Sequence, residues 1–272
     1  MKKRKTLFLA AIVFVLCGCK KSSEFKLKNY EDGLLYTAGQ LVADGTGIDR
    51  VEIDWVAGNV EIERNASNCI VAFEEESEES IEARMHTRIE ERVLKIKYCL
   101  SGYKGKIDKD LKKLQVEIPR DKEVKIRSIS ADVCLGLLEA KQLFVETQSG
   151  NIEAEQLVCD LAELKTEEGA MHIGGVKAKE LLAQSNAGAM HFGLPDSLKT
   201  RLENECGEIA LYLHGNGCAR FLFESEQGKF ISERPYQKIQ EGIYEFLYGG
   251  EFSPTQTQYI QVRTGTGNFR VQ

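Results

Sequence analysis

Apolar residues recur along this chain at a spacing of two within short segments and of 19 between segments. Gly150, Gly169, Gly188 and Gly207 are each 19 residues apart, and Ala131 holds the slot one period earlier. Two residues after that slot stand Val133, Ile152, Met171, Met190 and Ile209, and four after it Leu135, Ala154, Ile173, Phe192 and Leu211. Five residues before it stand Ile126, Val145, Leu164, Ala183 and Leu202. The same local pattern surrounds Gly58, Gly228 and Gly267. Alternation with Val, Ile and Phe marks strands with one buried face. A strand cannot bury its apolar side alone, whereas stacked copies about 4.8 Å apart can. Self-similarity at this period predicts an all-β fold, a single-stranded β-solenoid of the parallel β-helix type with 19-residue coils. Its handedness is expected to be right-handed, the rule for parallel crossovers.

Polar residues fall into register with the glycines. Ser128, Thr147, Thr166, Ser185, Asn204, Ser225 and Thr264 each precede the glycine slot by three. In a stack, such a column can bond along the ladder and satisfy the corner's backbone groups. Trp55, the only tryptophan, occupies this slot in the first coil, Ile48 to Glu63. That departure predicts a distinct end layer, since terminal repeats must cap an open edge. Between Gly58 and Ala131 the repeat is broken, with an irregular insertion at about 69–113. Within it, Arg84 to Ile89 and Val93 to Tyr98 alternate as a hairpin. Leu114 to Ile118 returns as a strand closed by Pro119.

The N-terminus has a different grammar. Lys2, Lys3, Arg4 and Lys5 precede an apolar run from Thr6 to Leu16, too short to span a bilayer comfortably. Leu16-Cys17-Gly18-Cys19 resembles the lipobox of bacterial lipoproteins, which implies cleavage before Cys19 and its diacylglycerol and palmitate modification. The expected organisation is a signal peptide over 1–18, a lipidated N-terminus and polar tether over 19–47, and a β-solenoid over 48–272. The expected location is the extracytoplasmic side of the cell membrane, held there by lipid.

Loss of residues 1–18 removes four basic residues and no acidic one, leaving 32 Lys plus Arg against 42 Asp plus Glu, net −10. An acidic surface without a basic stripe excludes nucleic acid as the expected partner. Six cysteines remain beyond Cys19: Cys69, Cys99, Cys134, Cys159, Cys206 and Cys218. Disulfides and free buried thiols stay equally open for them.

The segments LQVEIP (114–119), TQSGNIEA (147–154), TEEGAMHI (166–173), SNAGAMHF (185–192) and IQVRTGTGNFRV (260–271) together resemble the bacterial putative-adhesin family of β-strand-repeat envelope proteins. This is a domain of unknown function with toast-rack-like relatives in envelope-stress systems. The resemblance covers Ile48 to Gln272. It implies a stacked β-fold and an envelope location, and it carries no catalytic residues.

No G-x-S-x-G, H-E-x-x-H or phosphate-binding loop occurs. The expectation is therefore a protein that binds, with no enzymatic activity and no cofactor. Its ligand is an unidentified protein or polysaccharide. One constellation carries chemistry. The slot three after the glycine points outward and reads Glu153, His172, His191 on successive coils, three metal-competent side chains on one face. His86 and His214 are expected on the surface, and Met171 and Met190 in the core. Tyr98, Tyr103, Tyr236, Tyr244 and Tyr248 lie in segments that break the repeat and are candidates for a binding surface. Besides an adhesin-like role, two other classes remain open: an envelope-stress accessory bound to a membrane partner of its own cell, and a carbohydrate-active enzyme.

Overall fold

The computed structural model describes residues 33–75, 80–104, 112–193, 195–213, 219–233, 237–240, 242–248 and 258–272. Among these the fold is all β, with three single-turn 3-10 segments and no α-helix. No helix there is long and apolar enough to cross a membrane.

The sequence period is the register of the sheet. Strands Ile152–Thr166 and Met171–Ser185 run parallel, with residue 152 opposite 171 and 166 opposite 185. The same offset of 19 joins Gln142–Thr147 to Glu123–Ser128 on one side and to Ile152–Thr166 on the other. It continues from Met171–Ser185 to Met190–Gly193 and Asp196–Asn204. In-register stacking places like side chains over like, so the apolar columns become continuous ridges. Val133, Ile152, Met171, Met190 and Ile209 are fully buried, and Val145, Leu164, Ala183 and Leu202 likewise. Met171 and Met190 are core residues, as their slot requires.

The polar column is buried with them and satisfies the corner. Thr147 Oγ1 accepts from Gly150 N–H at 3.0 Å, Thr166 Oγ1 from Gly169 N–H at 3.0 Å, and Asn204 Oδ1 from Gly207 N–H at 2.8 Å. Ala131 keeps the same bond, its N–H donating to Ser128 Oγ at 2.7 Å. Each such bond is worth about 1 kcal/mol net, but an orphaned buried N–H would cost about 1–3 kcal/mol. The corner therefore tolerates Ser, Thr or Asn and excludes an apolar residue of the same size.

The ends of the stack depart from chain order. Arg50–Trp55 lies between Val93–Lys97 and Glu123–Ser128, parallel to both. Asn59–Arg64 likewise lies between Lys113–Ile118 and Asp132–Glu139. The strands flanking Gly58 are thus an inner layer, not the end layer expected of them, because the broken segment supplies further strands outside them. Trp55 is buried for this reason. The C-terminal end repeats the device: Gln258–Thr264 inserts between Asp196–Asn204 and Ala219–Ser225.

Antiparallel strands cover the N-terminal end of the stack and one edge strand at the other end, while among the described residues Phe230–Ser232 pairs only with Phe269–Val271, in parallel. His86–Glu90 pairs with Val93–Lys97, and Cys69–Glu75 with Lys113–Ile118. At the other end Ile243–Tyr248 covers Ala219–Ser225. Reversing strand direction ends the parallel template and prevents further coils from adding to it. The hairpin expected near Arg84 to Tyr98 is present, turning on Glu91 and Arg92 with φ of 48° and 64°. Positive φ at both central residues matches the twist of the flanking strands. Arg92 is tied down by Asp49 through bonds of 2.5 and 2.6 Å.

Candidate functional site

The outward face of the strands that follow the glycine corner brings together the residues with most chemical potential. Cys134, Glu153, His172 and His191 stand in one column, each opposite the next in the parallel ladder. Two residues further along the same face stand Gly136, Glu155, Gly174 and Gly193. The missing side chains leave a trough beside the column. Its concave part, about 540 Å³, is lined by Glu61, Glu63, Cys134, Glu153, Glu155 and His172 among others. A β-carbon on Gly136 would meet nothing closer than 3.9 Å, so this glycine widens the trough without being forced by packing.

His172 and His191 touch. Nδ1 of His191 lies 3.0 Å from Nε2 of His172, with the rings edge to face and centroids 4.5 Å apart. Burial and the neighbouring His172 hold the His191 imidazole below its ordinary pKa, against a smaller opposing effect of Glu208. The Cys134 thiol is pushed up, first by burial and then by the carboxylates of Glu153, Glu61 and Asp132. A thiol kept protonated in this way is a poor nucleophile.

Charge on this face is only partly neutralised, with Arg270 against Glu208 at 3.4 Å near one end. Glu61 is held by Lys113 at 2.9 Å and by Gln115 at 3.1 Å. Among the described residues Glu63, Glu153 and Glu155 have no ion-pair partner. The opposite sheet differs: Arg50 pairs with Glu123 at 3.0 Å, Arg127 with Asp54 at 2.6 Å and Lys199 with Glu180 at 2.5 Å. The exposed Lys199–Glu180 pair adds little stability, but such pairs cancel local potential. A second trough of about 530 Å³ follows the far corner, where Lys179 and Asp160 neutralise each other at 2.8 Å. The face that carries the histidines thus presents Glu63, Glu153 and Glu155 without an ion-pair partner among the described residues.

The structure brings His172, His191 and Glu153 into adjacent ladder positions. Among the described residues no group of three or more His, Cys, Asp or Glu side chains is placed so that it could hold a metal ion, so what the column offers is the His172–His191 pair alone. The tyrosines do not form one surface. Tyr98 is buried, its ring 4.9 Å from that of Trp55, so it belongs to the core and not to the surface expected of it. Tyr244 is half-buried and stacked on Phe223 at 5.9 Å. Tyr103 is half-buried beside a turn closed by its N–H on Leu100 at 3.1 Å. The backbone of Tyr248 pairs with Ala219. Tyr236, His214, Cys218 and the lipidation candidate Cys19 lie outside the described residues, as does everything up to residue 32. Cys69, Cys99, Cys134, Cys159 and Cys206 are free thiols.

His86 is also a correction. It is 3% exposed, not on the surface, because the covering strand turns it inward, where Nδ1 meets Arg84 O at 2.8 Å. It belongs to a buried polar cluster that the repeat pattern did not signal. Lys112 is its centre: Nζ donates to Ala83 O at 2.6 Å and to Tyr98 O, and pairs with Glu74 at 3.3 Å. The same ammonium sits 4.0 Å from the centroid of Tyr98 and 5.2 Å from that of Trp55. A cation held by two carbonyls, a carboxylate and two rings is fully solvated by protein, which explains how lysine is tolerated there. The signal available was the acidic run beginning at Glu74 and the Lys112-Lys113 pair closing the insertion, but only the pairing of the inserted strands puts them together.

This all-β arrangement of in-register parallel ladders defines the class. The chain belongs to the family described as Toastrack DUF4097, matched by residues 48–212 and again by residues 122–271. Similar solved structures include a putative lipid binding protein from Parabacteroides distasonis ATCC 8503, 13% identical over 87% of this chain and 97% of that one, with a TM-score of 0.44. Another is a putative adhesin from Bacteroides fragilis NCTC 9343, 12% identical over 86% and 96%, with a TM-score of 0.42. A putative cell adhesion protein from Clostridium sporogenes ATCC 15579 is 12% identical over 87% and 98%, with a TM-score of 0.34. No curated protein matches the chain.

Proposed function

We propose that this protein is a lipid-anchored, non-catalytic binding module of the cell envelope with an adhesin-like role. In this reading Cys19 carries the lipid after removal of residues 1–18, residues 19–47 tether the fold, and residues 48–272 form a single-stranded β-solenoid. The 19-residue register of the ladders supports the solenoid reading. The observation that carries the function is the difference between the two sheet faces. One is neutralised by cross-strand ion pairs, while the other presents unpaired carboxylates, two imidazoles and a trough floored by glycine. Stacked ladders hold such a face rigid, so recognition there loses little conformational entropy.

The test uses the labelled chain from residue 20 onward, applied to intact producer cells, isolated cell wall, and foreign glycan and matrix surfaces, with crosslinking in the producer. Saturable binding to wall or foreign surface, weakened by Glu153→Lys or Glu155→Lys, is the expected result. Absence of such binding, with one membrane protein recovered by crosslinking, would replace the adhesin-like role with that of an envelope accessory.

A further inference from the structure

The column Glu153, His172, His191 has a use that does not depend on where the protein resides. We propose that His172 and His191 form a binding site for one divalent transition-metal ion, with water completing the shell and the Glu153 carboxylate, one ladder step away, adding favourable charge. Two nitrogens bonded to one Zn²⁺ at about 2.0–2.1 Å stand roughly 3 to 3.4 Å apart, depending on the bond angle. Nε2 of His172 and Nδ1 of His191 already face each other at 3.0 Å. The ladder fixes the spacing of the two residues, since they are opposite in register and their neighbours Met171, Met190, Ile173 and Phe192 are buried. The backbone is therefore set before the ion arrives, and only ring rotations are needed to turn both lone pairs onto it.

The surroundings select the ion. Imidazole with carboxylate and water suits Zn²⁺ or Cu²⁺ better than the hard, all-oxygen shells of Ca²⁺ and Mg²⁺. Glu153 is one ladder step from His172 and lacks an ion-pair partner among the described residues, so its negative charge is not cancelled beside the ion. Glu155 on the same face adds negative potential, and the trough leaves room for coordinated water. In the metal-free pair one ring donates and the other accepts. On binding, the donor ring moves its proton to its far nitrogen, so both facing nitrogens become ligands and both rings stay neutral. Cys134 lies a further step beyond Glu153 and is not needed.

The decisive experiment titrates the full-length chain, in detergent and without a histidine tag, with Zn²⁺ and separately with Cu²⁺ by isothermal calorimetry. One equivalent is expected to bind. His172→Ala and His191→Ala should each weaken it at least tenfold, Glu153→Gln by a few-fold, and Cys134→Ser should leave it unchanged. Both histidines lie on the outer face of the sheet, and His172→Asn and His191→Asn serve as variants closer in size. Unchanged thermal midpoints would place the loss at the site. No uptake by the unaltered chain, or uptake that survives both histidine changes, would overturn the proposal.

Discussion

The carbonyl oxygen of Gly150 stands 2.0 Å from the point that a β-carbon on Gly169 would occupy. The oxygen belongs to backbone that is itself fixed in the ladder, so neither partner can give way. Close approach of one corner to the next thus demands glycine here, although its φ is not in the left-handed region. Gly169→Ala is expected to destabilise the fold by about 2–4 kcal/mol. Gly136→Ala, with nothing nearer than 3.9 Å, should be neutral or stabilising by about 0.5 kcal/mol. Urea unfolding of the two variants side by side separates a glycine required by packing from one that only opens the trough. Equal losses would contradict this account.

Thr166 is 2% exposed and its hydroxyl oxygen takes the Gly169 N–H. Thr166→Val keeps the volume and leaves that amide without a partner. A loss of about 1–3 kcal/mol is expected, with Thr166→Ser close to unaltered. Serine occurs in the column naturally, at Ser128 and Ser185, whereas valine does not. If valine cost no more than serine, the column would be packing alone.

The regular part of this architecture was legible because the same three slots recur. Strand, core and corner all follow from a glycine, its preceding Thr147 or Thr166, and the flanking Ile152 or Leu164. The Glu153, His172 and His191 column was legible for the same reason, since register carries one slot onto the next. What was not legible is pairing out of chain order. Nothing local to Trp55 says that Val93–Lys97 will lie on one side of its strand and Glu123–Ser128 on the other. That choice depends on contacts more than 35 residues away, and it is what moves Tyr98, His86 and Lys112 from expected surface or loop into the interior. Alternation predicted a hairpin there without saying which face would be covered.

His86 makes stability depend on pH. Burial lowers its pKa from the ordinary 6.5, partly opposed by its bond to Arg84 O. Below 6.5 the unfolded chain therefore binds a proton that the folded chain refuses. Stability is then lost as pH falls through 6.5 toward the lower folded value, and regained as pH rises. The thermal midpoint should drop between pH 7.5 and 5. His86→Gln should reduce the steepness of that drop, whatever it does to the midpoint at neutral pH. An unchanged pH profile in the variant would assign the acid sensitivity to other groups.

The Lys112–Glu74 pair has side chains only 9% and 6% exposed. Lys112→Met leaves a buried carboxylate without its cation, and a loss of about 3–5 kcal/mol is expected. Adding Glu74→Gln should recover a substantial part of it, because the uncompensated charge is then gone. Guanidinium unfolding of the single and double variants measures the coupling. Additive losses would mean that the pair contributes only through packing against Trp55 and Tyr98.

The cysteines should differ in reactivity according to their place in the sheet. Burial, and then the Asp160 carboxylate, push the Cys159 thiol up to about 11. Its thiolate at pH 8 is then about one part in a thousand, and thiolate is the form that reacts. Cys69 and Cys206 are exposed to solvent, whereas Cys159 is half-buried at the far corner beside Ala140 and Ala178. Iodoacetamide at pH 8 should therefore label Cys69 and Cys206 well before Cys159, read by mass spectrometry of the digested chain. Labelling of Cys159 should rise about tenfold per pH unit until near pH 11. Asp160→Asn should speed it modestly by removing the smaller of the two causes, with the larger share of the protection, due to burial, remaining. Early labelling of Cys159 at pH 8 would mean that the far corner opens to solvent, and that the parallel ladder is looser there than at the glycine corner.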